Sequence, residues 1–86
     1  MSEWDKVFKR YIEKLNAIQK QVANKYMGCT EALSEVNKNV SFMHGYLSAL
    51  YDAKVIDIKV FAEQWSVIDN KAFIYRSFIV NKMIKE

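Results

Sequence analysis

The sequence predicts an all-α fold, a small bundle of three or four helices built as a helical hairpin followed by a C-terminal helix. Three observations carry this prediction. Apolar residues recur at alternating spacings of four and three along most of the chain. Proline is absent, and only two glycines interrupt the pattern. The 86 residues are too few for two separate cores, so residues 1–86 read as one domain. A hydrophobic fraction of 51% against 27% charged places the chain with folded rather than disordered proteins.

In the first segment Trp4, Phe8, Tyr11, Leu15, Ile18 and Val22 form the seam, and Val7 and Ile12 widen it. Ser2, three residues before Asp5, resembles a capping box with an acidic partner. The helix is predicted from Glu3 to Met27. Gly28 then marks a turn, and Thr30 followed by Glu31 reads as a fresh N-cap. Cys29, Leu33, Val36, Val40, Met43, Leu47 and Leu50 repeat the same spacing to about Ala53. The two seams also join in phase through Tyr26, so one long helix is the competing reading. The hairpin is preferred because an interior glycine costs a helix about 1 kcal/mol.

Lys54, Val55 and Ile56 form a second connection, and Asp57 is a good N-cap for a pattern through Ile58, Phe61, Trp65 and Ile68. The same phase continues through Ala72, Tyr75 and Ile79, although Asp69-Asn70-Lys71 could break it and start a fourth helix. The run from Phe73 to Val80 has high strand propensity, and Ile56, Ile58 and Val60 alternate as a strand would. Two helices with a C-terminal β-hairpin is therefore the alternative fold, disfavoured because nothing between these segments supplies a tight turn.

Composition also bounds function. One histidine and one cysteine, His44 and Cys29, offer at most a single dyad and too few ligands for a Cys/His metal site. No phosphate loop or dinucleotide fingerprint occurs. The expectation is a protein that is not an enzyme and needs no cofactor or metal. A lone thiol suits a reducing compartment, no secretory leader is evident, and no apolar run is long enough to span a bilayer. A cytoplasmic location without a membrane partner is expected. Eleven lysines to two arginines, with no proline, is what an AT-rich genome encodes, which fits a phage or mobile-element accessory factor.

Residues 6–25 carry six cations against the single acid Glu13, and Lys6, Lys9, Arg10 and Lys20 fall opposite the seam. This basic face is the candidate site for an acidic or phosphate-bearing ligand, although a solvated lysine face is the commoner meaning of such a stripe. On the second helix Ser41, Gly45 and Ser48 form a small-residue face suited to a close helix contact, which reads equally well as a plain polar surface. Ala72 to Ile84 is apolar nearly all round, and Phe73, Phe78, Ile79 and Val80 are expected at an oligomer interface. The leading expectation is thus a homo-oligomeric helical interaction protein that regulates or inhibits another macromolecule. The alternative is a binder of nucleic acid or a nucleotide through the basic face of the first helix.

Overall fold

The computed structural model describes residues 3–85, which form α1 (Glu3–Ala23), α2 (Cys29–Asp52) and α3 (Ile58–Lys85). Pairs of touching side chains give the helix directions. Trp4 meets Gln64 and Asn16 meets Tyr75, so α1 and α3 run parallel. Asn37 meets Arg76, His44 meets Asp69 and Tyr51 meets Phe61, so α2 runs antiparallel to α3. The result is an up-down-up bundle of 46 × 20 × 16 Å.

Each seam read from the sequence faces the core. Val7, Tyr11, Leu15, Ile18 and Val22 from α1 meet Ala32, Val36, Val40, Met43 and Leu47 from α2 and Ile68, Ala72 and Ile79 from α3. The four-three spacing keeps these side chains on one side of a helix with 3.6 residues per turn. Although α3 is the longest helix, it gives only three fully buried residues where α1 and α2 give five each. Much of its apolar content therefore lies outside the core.

The hairpin is present and the single long helix is not, but the first turn is built differently from expectation. α1 ends at Ala23 rather than Met27, and α2 starts at Cys29, with Gly28 at the N-cap and Thr30 inside the helix. Gly28 has φ −72°, so no left-handed backbone requires glycine there. The left-handed residue is Lys25 (φ 64°). Its N–H donates to the Val22 carbonyl and that of Tyr26 to the Gln21 carbonyl, which together make a Schellman termination. The second connection repeats this motif with Lys54 (φ 62°), whose N–H reaches Tyr51 while that of Val55 reaches Leu50. Asp57 then caps α3 as expected, its carboxylate accepting the Val60 N–H at 2.9 Å. Ser2 and its capping box lie outside the described residues.

Helix α3 runs unbroken through Asp69-Asn70-Lys71. Ile68 and Ala72 on either side are both buried, and Asp69 turns its carboxylate to His44 instead of capping a new helix. The strand propensity of residues 73–80 is overridden for a related reason. Ile68, Ala72, Tyr75 and Ile79 reach the core together only at helical spacing, and no strand occurs among the described residues.

Candidate functional site

The His-Cys dyad is ruled out by placement within α2. Cys29 opens the helix and His44 lies fifteen residues along it, a separation of roughly 22 Å at the rise of an α-helix. His44 packs against α3 instead. Its ring stacks on Trp65 with centroids 3.8 Å apart and planes within 1°, and Nε2 lies 2.8 Å from Asp69 Oδ1. This cluster ties α2 to α3. Among the described residues no group of three or more His, Cys, Asp or Glu side chains is arranged to hold a metal ion.

Two surfaces remain as candidates. The first is the outer side of the C-terminal half of α3. Phe73 (68% exposed), Val80 and Ile84 (77% exposed) are separated by seven and four residues and so lie along one line of the helix, about 16 Å long at 1.5 Å per residue. Ile74 and Met83 are exposed beside them. The expected interface set is split by the fold. Phe73 and Val80 face outward, whereas Ile79, at 1% exposure, belongs to the core and Phe78 packs against it. That division corrects the sequence reading for Phe78 and Ile79. The periodicity places Ile79 with Ile68 and Ala72, so the inner position was available from the seam itself.

The second surface is a groove between α1 and α2. Two adjoining hollows of about 300 and 450 Å³ share Lys14, Asn39 and Phe42 and form one channel along the helix pair. Val7, Tyr11, Ile18 and Met43 make an apolar floor. Arg10 and Lys14 rise on the α1 side, Lys38 on the α2 side, and Phe42 stands 59% exposed between them. Lys38 is paired with Glu35 at 3.4 Å, but neither Arg10 nor Lys14 has a carboxylate within salt-bridge distance among the described residues. At the floor the Tyr11 hydroxyl donates to the Ile68 carbonyl at 3.0 Å, and burial pushes its phenol up to about 12.

The basic residues singled out from the sequence are all exposed. Only Arg10 lines the groove. Lys9 and Lys20 lie roughly 80–100° further round α1 by helical geometry, and Lys6 lies between. Lys14, Lys38 and Phe42 are the members that sequence reasoning missed. Lys14 and Phe42 flank the seams of their helices, whereas Lys38 lies on the outward face of α2, one turn before Phe42, and had no seam signal.

The small-residue face of α2 makes no close helix contact within the chain. Ser41 and Gly45 are exposed, Ser48 is half-buried, and a Cβ built on Gly45 would meet nothing within 4 Å. The two other helices pack on the seam side of α2, so this face is left outward. No helix is long and apolar enough to cross a membrane among the described residues. Comparison with protein-family models, with curated proteins and with solved structures finds no match.

Proposed function

We propose that this chain is a non-catalytic helical interaction protein that self-associates through the outer line of α3 and acts by regulating another macromolecule. The observation that carries the reading is the exposure of Phe73, Ile74, Val80, Met83 and Ile84 on one helix of a bundle whose core is otherwise complete. A two-fold interface buries the same residues from both copies. Each large apolar side chain contributes about 1.5–3 kcal/mol on burial, so three per copy offset an association cost of roughly 4–15 kcal/mol.

Charge sharpens the expectation. Residues 70–85 hold Lys71, Arg76, Lys82 and Lys85 and no acid, so two copies of this segment repel each other. Self-association should therefore tighten as salt rises, because screening weakens the repulsion while apolar burial persists. Light scattering at increasing protein concentration tests this. Wild type should exceed monomer mass, and Phe73→Glu with Ile84→Glu should return it to monomer with unchanged helical circular dichroism. A wild-type chain that stays monomeric at millimolar concentration in high salt refutes the reading.

A second reading, the binding of a phosphate-bearing ligand, is favoured by the exposure of Lys6, Lys9, Arg10 and Lys20 without ion-pair partners among the described residues. Affinity for an oligonucleotide that falls steeply with salt would support it.

A further inference from the structure

We infer that the groove between α1 and α2 docks an acidic amphipathic helix of a protein partner. The apolar surface of the channel is chiefly Phe42, with Ala17 and Met27 along it, over a base closed by the buried side chains of Val7, Tyr11, Ile18 and Met43, and a phosphodiester backbone would leave that apolar surface uncovered. The rim asks for carboxylates. Arg10, Lys14 and Lys38 face the channel against the one acid Glu35, which Lys38 already engages, so two cations are left for a ligand. Exposed Phe42 stands between floor and rim as an anchor contact.

The shape selects a helix. A channel between two antiparallel helices is the seat that a further helix occupies in a four-helix bundle, with apolar anchors at i, i+3 or i+4, and i+7. Carboxylates flanking that stripe would meet Arg10 and Lys14 on one side and Lys38 on the other. A second copy of this chain is a poor occupant. Its most extended exposed apolar helix face among the described residues belongs to the segment with Lys71, Arg76, Lys82 and Lys85 and no acid between residues 70 and 85, which the basic rim repels. The groove and the outer line of α3 are thus separate surfaces with partners of different charge.

The test uses the full chain and two synthetic 18-residue helices labelled with a fluorophore. Both carry leucines at i, i+3/i+4 and i+7, flanked by glutamates in one and by lysines in the other. Fluorescence anisotropy should give saturable binding of the acidic peptide that weakens with salt, and at least tenfold weaker binding of the basic one. Arg10→Glu with Lys14→Glu, and separately Phe42→Ala, should each weaken the acidic peptide about tenfold, equivalent to about 1.4 kcal/mol. All three positions are outside the fully buried core, and circular dichroism should stay unchanged. Lys9→Glu with Lys20→Glu removes the same charge elsewhere on α1 and should weaken binding less than threefold. The proposal is overturned if no acidic peptide binds, if both peptides bind alike, or if the two charge-reversal pairs act equally. Tighter binding of a single-stranded oligonucleotide that ignores Phe42→Ala also overturns it, in favour of a phosphate ligand.

Discussion

The two sides of α2 are finished differently. Toward α3, the seam is closed on its outer side by bridging side chains. His44 reaches Asp69, Asn37 Oδ1 accepts from Arg76 at 2.6 and 3.0 Å, and Tyr51 packs on Phe61. Toward α1, the comparable bridge among the described residues is the aromatic contact of Tyr46 with Trp4 near one end, and further along lies the groove lined by Arg10, Lys14 and Phe42. The same helix thus carries a structural side and an accessible side. Side chains that find partners within the chain are committed to holding the bundle together, while those left unpaired at the rim of a hollow are available to a ligand.

The comparison breaks most visibly if core and groove respond alike to truncation. Leu47→Ala removes a fully buried side chain between the helices and should cost about 2–5 kcal/mol, a large part of the 5–15 kcal/mol typical of a small domain. Phe42→Ala, five residues earlier and exposed, should change urea-unfolding stability by less than about 0.5 kcal/mol. Similar losses for both would mean that the groove is part of the core and no docking surface at all.

Tyr11 connects the two regions, because it lies in the groove floor while its hydroxyl holds the α3 backbone. Tyr11→Phe should cost about 1 kcal/mol at neutral pH through loss of this buried hydrogen bond. The pH dependence has a definite sign. The folded-state value of about 12 stands above the ordinary value of 10.0, so the fold retains the phenolic proton that the unfolded chain releases. The stability that Tyr11 contributes is complete below pH 10 and is lost as pH rises from 10 through 12, by an amount on the order of 2–3 kcal/mol. The stability difference between wild type and Tyr11→Phe should therefore shrink or reverse over that window. A constant difference from pH 7 to 12 would show that the hydroxyl is not buried against α3.

The smallest expected effect lies outside both seams. Gly45 is helical, exposed and free of neighbours, so Gly45→Ala should stabilise the chain by roughly 0.5–1 kcal/mol through better helix propensity. Thermal unfolding of the two chains measures this directly. Destabilisation that appears only at high protein concentration would instead reveal a close contact with another copy at Ser41, Gly45 and Ser48.

What the sequence alone determined is what depends on a single helix. The four-three spacing identified the inner face of α1, α2 and α3, from Leu15 and Val36 to Ile68 and Ile79, because burial of one stripe repeats with the pitch of the helix whatever it packs against. Asp57 was legible as a cap for the same reason, since its carboxylate meets an N–H only three residues away. The first turn misled because Gly28 and Thr30 carry the usual signals, while the chain terminates α1 by forcing Lys25 into a left-handed backbone that few residues other than glycine adopt easily.

Only the tertiary structure decided what depends on two helices at once. Whether Asp69 would cap a new helix or reach His44 depended on how α2 packs beside α3. The strand-prone run from Phe73 to Val80 stayed helical because its inner residues had a core to enter. Likewise, the lysine stripe of α1 is uniform on a helical wheel. Only the position of α2 selects Arg10 from it, joins Lys14 to it and sets Phe42 and Lys38 opposite them. Periodicity gives the direction of a side chain around its own axis, and a groove exists only where a second axis runs beside it.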